Sequence, residues 1–565
     1  MPPDFSLPDP ASNDLTAWPA PDAFPLAPVD FLNADARATA TTDTGKPSDT
    51  IDEAASQLVR GEPGWSSALG VGFTVTYAYR ASAPSAMPED AAGFSRFSSA
   101  QIDQAELALK AWSDVANIRF LRIGSGDAGS QAYSDNAAIL LGDYSSGVAG
   151  ASAFTYYPGS TAASSRSGDL WVNSTFSYNQ FPTTGNYGGM VLIHELGHAI
   201  GLAHPSDYNA SADQTLTYAA DATYYEDDRQ YTVMSYFSET NTGANFRGSF
   251  AASPLLDDIA AAQLEYGANM STRTGDTVYG FNSNTGEPWF TATTASSKLI
   301  TAIWDAGGSD TLDFSGFSQN QVIDLRAGYF SSVGGLSGNV AIAQNVTIEN
   351  AIGGPGDDVI HGNAADNSIL GGAGNDTIDG GSGGHNIILG LDGNDSITGA
   401  SGVDEINGNR GNDTIDGGSG GADSLLGGQG NDIITVHSGN TLLNGNLGND
   451  TVNGGSGDDT VHGGQANDLL TGGAGNDQLW GDLGDDTLTG GGGADVFHLR
   501  VGDGHDVVTD FNGFSGDRVQ LDPGVAYTVS QVGVDAVVLV TSSGDSITLQ
   551  GVSAGSLPAG AIFLA

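Results

Sequence analysis

The sequence predicts a two-part chain: an α/β domain, with a twisted mixed sheet plus helices, followed by an all-β right-handed parallel β-roll. Two observations carry this. Between Phe73 and Gly189 strand-like and helix-like patterns alternate, as a mixed sheet requires. From Gly353 onward a G-G-x-G-x-D-x-U-x pattern recurs, the signature of a stacked roll. A third stretch, VLIHELGHAIGLAHP from Val191 to Pro205, locates the chemistry.

The 565 residues suffice for two or more domains with substantial cores. A formal charge of -50, from 67 acidic against 17 basic residues, argues against nucleic acid or anionic membrane and in favour of divalent cations. Cysteine is absent, so no disulfide framework is available. No apolar run is long enough to span a bilayer, and the start, MPPDFSLPDP, lacks the basic and then apolar segments of a secretory signal. An exported chain must carry its address elsewhere.

Residues 1–50, rich in Pro, Ala, Asp and Thr, read as a flexible leader or propeptide, in which Asp14, Asp30 or Asp35 could cap a metal. Residues 51–265 form the first folded domain. Ile51 to Arg60 is a short amphipathic helix stopped by Gly61 and Pro63. Phe73 to Tyr79 is a strand, and Ser98 or Ser99 caps a helix running to about Val115. Ile118 to Ile123, Ala138 to Gly142 and Leu170 to Asn173 are further strands. Ala151 to Tyr157, bounded by Pro158, reads as an edge strand able to pair with an extended peptide.

In the central motif His194 and His198 stand four apart and share one helix face, so two imidazoles can meet one zinc ion. Glu195 falls between them and projects beside the metal, as a general base for a metal-activated water should. Gly201 tolerates the left-handed turn that returns His204 as third ligand. An isolated H-E-x-x-H also arises by chance in long helices; the extended H-E-x-x-H-x-x-G-x-x-H is far more specific. The chain has nine histidines, and these are the first three. Downstream, YTVMSYF offers Met234 as a methionine turn beneath the metal and Tyr236 as a phenol that could ligate it at rest or hydrogen-bond a developing oxyanion.

The segments HELGHAIGLAHPSDYNA, YTVMSYFSETNTG, SPLLDDIAAAQLEYGAN and STRTGDTVYGFNSNTG resemble the serralysins, secreted zinc endopeptidases of the metzincin clan that carry calcium-binding RTX repeats. The likeness runs from about Ile51 to Gly356. It implies zinc on His194, His198 and His204, the base at Glu195, and the tyrosine of the methionine turn at Tyr236. It also implies a zymogen, protein or peptide substrates, and export through a type I exporter directed by an uncleaved C-terminal signal, to the outside of a Gram-negative bacterium. The competing reading is a calcium-dependent cell-surface or matrix scaffold in which proteolysis is incidental.

Residues 266–352 read as a junction opening a C-terminal β domain. Asp276, Asp305, Asp310 and Asp313 lie among glycines there, in loops whose oxygens suit calcium; the resemblance adds Arg273 and Gly307 to that set. Residues 353–498 are the roll, with windows such as GGPGDDVIH, GGAGNDTID and GNRGNDTID. Turn glycines Gly356, Gly374, Gly411, Gly448, Gly457 and Gly475 and aspartates Asp358, Asp376, Asp395, Asp404, Asp413, Asp432, Asp450, Asp459, Asp468, Asp477, Asp486 and Asp495 are the expected calcium ligands. Val359, Ile378, Leu479 and Leu488 mark the apolar site that fills the core. The array breaks its own rule where Gly362 to Leu370 lacks turn glycines, where GGSGGHNIIL and GGSGGADSLL carry an extra residue, and where Val436 to Asn444 lacks the aspartate. It spans about sixteen windows of nine, more than serralysins usually carry. Without calcium, as inside a cell, its carboxylates repel and the roll stays unfolded, which suits export. Residues 499–565 close the roll with strands and end in GAIFLA, which the resemblance makes the type I signal, though it lacks the family's usual preceding acidic residue.

Overall fold

The computed structural model describes residues 4–6, 31–40, 42, 44–60, 64–88, 91–147, 151–159, 167–208 and 215–565. They fall into two compact units, residues 1–310 with 327–347, and residues 311–326 with 348–565.

The first unit is built on a six-stranded sheet of β1 (Asp4–Ser6), β2 (Phe73–Tyr79), β3 (Ile118–Arg122), β4 (Ile139–Tyr144), β5 (Ala153–Thr155) and β6 (Leu170–Asn173), in the order β1-β5-β6-β4-β2-β3. Strands β3, β2, β4 and β6 run parallel, whereas β5 is antiparallel to β6. The helix Ser99–Val115 starts on a reciprocal cap: Ser98 Oγ accepts from Gln101 N and the Gln101 side chain accepts from Ser98 N. Its buried Trp112 donates from Nε1 to the Ile193 carbonyl at 3.0 Å, fixing this helix against the one that carries the histidine motif.

Two expectations change. The edge strand is shorter than the sequence indicated, and its outer side is covered by the chain's own N-terminus: Asp4, Phe5 and Ser6 pair antiparallel with Thr155, Phe154 and Ala153. The leader is also partly built into the fold. Arg37 is buried and makes a two-pronged contact with Asp257 at 2.8 and 3.0 Å, while the Tyr231 hydroxyl bonds both Leu32 N and Leu32 O. A buried guanidinium is tolerated because carboxylates surround it, Glu226 also lying 3.7 Å away. Asp35 is exposed; Asp14 and Asp30 lie outside the described residues.

The second unit is a parallel roll of two sheets. Successive strands in one sheet, such as Thr377–Asp379, Ser396–Thr398 and Thr414–Asp416, stack in register, and so do those of the other, such as Ile387–Asp392, Glu405–Arg410 and Ser424–Gln429. Between Asp358 and Asp486 one coil takes 18 or 19 residues, so an extra residue in GGSGG is absorbed in a turn without breaking register. The middle residue of each short strand points inward, giving two single files of Ile, Leu, Val and Phe at 2% exposure or less, among them Ile378, Leu479 and Leu488. Val359 is a correction. In VIH the inward place of the period-two pattern falls on Ile360, fully buried, and Val359 faces outward. The C-terminal strands close the roll with a hairpin, Tyr527–Val532 against Asp535–Val540, and with Ile562–Leu564 parallel to Arg518–Leu521.

Within the six-stranded sheet, Asp143 on β4 is 3% exposed and accepts from Gln101 Nε2 at 2.9 Å. Burial pushes its carboxyl up to about 8. A raised folded-state value means that the protonated acid stabilises the fold, and that this contribution is lost as pH rises from the unfolded value near 4 through about 8. Asp143→Asn is therefore expected to gain Tm over the wild type progressively from pH 5 to 8. A Tm difference constant across that range would contradict this.

Candidate metal centre

The helix Tyr187–Ala199 is capped by Asn186, whose side chain accepts from Gly189 N at 2.8 Å, and every residue in it is buried. It ends as the glycine predicts. Gly201 takes φ 106° and Leu202 N returns to the Gly197 carbonyl at 2.9 Å, which swings His204 back towards the helix.

The three histidines meet. His198 Nε2 lies 3.1 Å from His194 Nε2 and 3.2 Å from His204 Nε2. Each opposite nitrogen faces a backbone carbonyl: His194 Nδ1 to Val233 O at 2.8 Å, His198 Nδ1 to Leu202 O at 2.7 Å, His204 Nδ1 to Tyr208 O at 2.9 Å. A carbonyl only accepts, so each proton sits on Nδ1 and three bare Nε2 lone pairs point at one spot. Three acceptors so close repel unless a cation lies among them, and their spacing suits a metal bound at about 2.0–2.1 Å. The rings are at most 2% exposed, and burial followed by the neighbouring imidazoles holds His194 well below its usual range, in the neutral form that ligation needs. Among the described residues this trio is the group of three or more His, Asp or Glu side chains close enough to share a metal.

Glu195 stands beside the trio and outside it, wholly buried, with Thr155 Oγ1 of the edge strand donating to its Oε2 at 2.7 Å. Met234 lies beneath: a Cβ on Gly197 would come within 2.5 Å of the Met234 sulfur, so the glycine inside H-E-L-G-H is what seats the methionine. The Tyr236 ring is 4.4 Å from that of His204 and 5.9 Å from that of His194, centroid to centroid. The turn carrying both is braced by buried Asp258, which accepts from Thr232 Oγ1 at 2.5 Å and from Val233 N and Leu255 N at 2.8 Å. Thr155, Gly197 in this role and Asp258 escape sequence reasoning, because Glu195, Met234 and the methionine turn lie 40, 37 and 25 to 26 residues from them along the chain.

The loops expected to bind calcium come together. Ser309 N donates to Asp276 Oδ1 at 3.0 Å, Thr277 N to Asp310 Oδ1 at 2.8 Å, and Gly307 N to Asp305 Oδ1 at 2.8 Å. The Arg273 side chain reaches Asp114 at 3.0 Å and the Trp304 carbonyl at 3.2 Å, and its φ of 48° turns the loop.

In the roll the aspartates form two columns. In one, the backbone N–H of Asp358, Asp376, Asp395, Asp413, Asp432, Asp450, Asp468 and Asp486 each donates to Oδ1 of the next, the last to Asp506, at 2.7–3.1 Å. The other contains Asp404, Asp423, Asp459, Asp477, Asp495 and Asp517, with Asn367, Asn386 and Thr441 at equivalent places. From Asp376 to Asp506 in the first column, and at Asp404, Asp423, Asp459, Asp477 and Asp495, the second oxygen, Oδ2, is buried without a hydrogen-bond partner. Asp358 differs, because Gly354 N and Gln321 N occupy its two oxygens. Asp423 and Asp506 are additions to the predicted set; their windows, GGSGGADSLL and GDGHDVV, shift the nine-residue count. Gly374, Gly411, Gly448, Gly457 and Gly475 take φ between 123° and 148°, whereas Gly356 is needed for space, its Cβ position lying 2.7 Å from Asn320 N.

Residues 268–523 match the model of the peptidase M10 serralysin C terminal, and residues 74–246 that of metallo-peptidase family M12. The chain is 49% identical over 333 residues to metallopeptidase AprA of Pseudomonas marginalis, covering 58% of this chain and 68% of that protein. It is 46% identical over 350 residues to a serralysin C of Dickeya chrysanthemi, covering 61% and 71%. A serralysin of Proteus mirabilis is 52% identical over 274 residues, covering 48% and 55%. With a histidine trio spaced for a metal in one unit, a repeat roll in the other, and the first two of these relatives matched over more than two thirds of their length, the chain belongs to the serralysin family of secreted zinc endopeptidases.

Proposed function

We propose that His194, His198 and His204 hold the catalytic zinc and that Glu195 is the general base. The convergence of three Nδ1-protonated imidazoles carries this reading. When bound, zinc supplies Lewis acidity, polarising the scissile carbonyl and lowering the pKa of the attacking water. Glu195 takes the proton of that water and hands it to the leaving amine, and the Thr155 hydroxyl on Oε2 fixes which way the carboxylate faces. Tyr236 donates a hydrogen bond from its phenol to the developing oxyanion, and would serve as a metal ligand at rest. Mutating Glu195→Ala should lower the rate of casein digestion by ~10²–10⁴-fold without loss of bound zinc, and a zinc chelator should silence the wild type. Equal rates for the two proteins would overturn the assignment.

Protein substrates lie extended along Ala153–Thr155, held by backbone pairing that is tolerant of side chains. Asp4–Ser6 takes that place in the full chain, so the leader acts as a tethered occupant of the substrate edge. The N-terminal stretch built around Arg37 stays with the enzyme, and cutting belongs upstream of it. A chain starting at Phe31 should exceed the full chain in kcat/KM by at least ~10-fold, the worth of one or two backbone hydrogen bonds. Identical values would refute the latency.

The roll and the loops at Arg273–Asp276 and Asp305–Asp310 take calcium. Unmet Oδ2 atoms are hard oxygen ligands, and burial together with neighbouring carboxylates pushes Asp468 and Asp506 up to about 8, so their charge needs a cation. Binding then becomes folding energy outside the cell, consistent with passage of an unfolded chain through a type I exporter and release from a Gram-negative host; a roll of this length also offers a face for cell-surface attachment. Adding calcium to the metal-stripped full chain at neutral pH should deepen the β signal in circular dichroism. A spectrum that calcium leaves unchanged would rule this out.

A further inference from the structure

We propose that Asp227 is a positioning residue that locks the loop of the third histidine to the methionine turn, an inference that rests on His204 being a zinc ligand. Asp227 is fully buried, and its carboxylate receives three hydroxyls. Ser206 Oγ donates to Oδ2 at 2.5 Å; the Tyr208 hydroxyl and Ser235 Oγ donate to Oδ1 at 2.7 and 2.8 Å. These donors come from two separate segments, 206–208 and 235.

Both segments govern the metal site. The Tyr208 carbonyl accepts from His204 Nδ1 and so sets the tautomer and ring orientation of His204. The Tyr208 ring stacks on His204 at 5.3 Å with a tilt of 16° and lies 5.3 Å from the Tyr236 ring. Ser235 sits between Met234 and Tyr236, and its Oγ also accepts from Phe237 N at 3.1 Å. Ser206 Oγ accepts from Thr223 N at 2.9 Å, which anchors the loop at its far side. One carboxylate thus fixes the carbonyl behind His204 and the backbone on either side of Tyr236. Only an acceptor with two oxygens serves three hydroxyl donors on two sides; an amide offers one.

Asp228 is the natural comparison. It is equally buried and accepts from Thr242 Oγ1 at 2.5 Å and Gln230 N at 2.9 Å, donors that belong neither to the segment 204–208 nor to the methionine turn. A merely structural carboxylate in this region should behave as Asp228 does.

The test uses the full-length zinc-loaded protein and reads the rate of zinc transfer to a competing chelator, kcat and KM separately on a peptide, and Tm. Asp227→Ala is expected to release zinc ~10–100-fold faster and to lose kcat with little change in KM. Asp227→Asn, which keeps one oxygen, should recover part of both, and Tyr208→Phe should move both in the same direction by less. Asp228→Asn should lower Tm while zinc release stays within about twofold of wild type. If Asp227→Ala lowers Tm with wild-type zinc release, or if Asp228→Asn matches it in zinc release, the proposal is overturned. Should Asp227→Ala fail to fold, Tyr208→Phe decides by the same readouts, unchanged zinc release counting against. His204→Ala separates the premise: zinc held as tightly as in the wild type sinks the ligand assignment itself, whereas zinc lost there and kept in Asp227→Ala sinks only the positioning role.

Discussion

Three imidazole nitrogens with no proton between them, turned on one another in a buried site, set the terms for the first unit. Each is forced into that state by a carbonyl behind it, and the three carbonyls, of Val233, Leu202 and Tyr208, belong to three different segments. Much of the surrounding architecture delivers those carbonyls. The turn at Gly201 brings Leu202, and Asp258 holds Val233 by its N–H. Three acceptors held this close favour a cation among them, and imidazole nitrogens at this spacing suit zinc.

The second unit repeats the device with oxygen in place of nitrogen. From Asp376 to Asp506, each aspartate of the first column gives Oδ1 to a backbone N–H and keeps Oδ2 buried without a donor. Glycines admit this crowding, since a Cβ at Gly411 would lie 1.6 Å from the Gly393 carbonyl oxygen. Both halves of the chain therefore gather acceptors and withhold protons. The difference lies in softness: imidazole nitrogens suit zinc, carboxylate oxygens suit calcium.

Much of this was legible in the sequence because its causes are local. The Ser98 cap, the four-residue spacing of His194 and His198, the glycine at 201 and the period-nine phase all operate within a turn or two of chain. The remainder depends on partners that sequence order hides. Thr155 meets Glu195 across 40 residues, and Arg37 meets Asp257 across 220. Val359 was mistaken for a core residue because VIH offers two adjacent apolar side chains and only the sheet decides which faces inward. Asp423 and Asp506 were missed because insertions moved them out of the nine-residue count while the coil kept its aspartates in line.

The turns also tie the coils in two directions. Each column aspartate sends its N–H to the coil that follows: Asp468 to Asp486, Asp477 to Asp495, Asp486 to Asp506, Asp495 to Asp517. The residue just before it sends its N–H to the coil before: Asn467 to Asn449, Asn476 to Asp458, Asp485 to Asn467, Ala494 to Asn476. Removing a coil from either end therefore takes the acceptor from a backbone donor that has no second choice. The roll is laced like a boot, each eyelet held from above and below, and neither end can be shortened without undoing a knot.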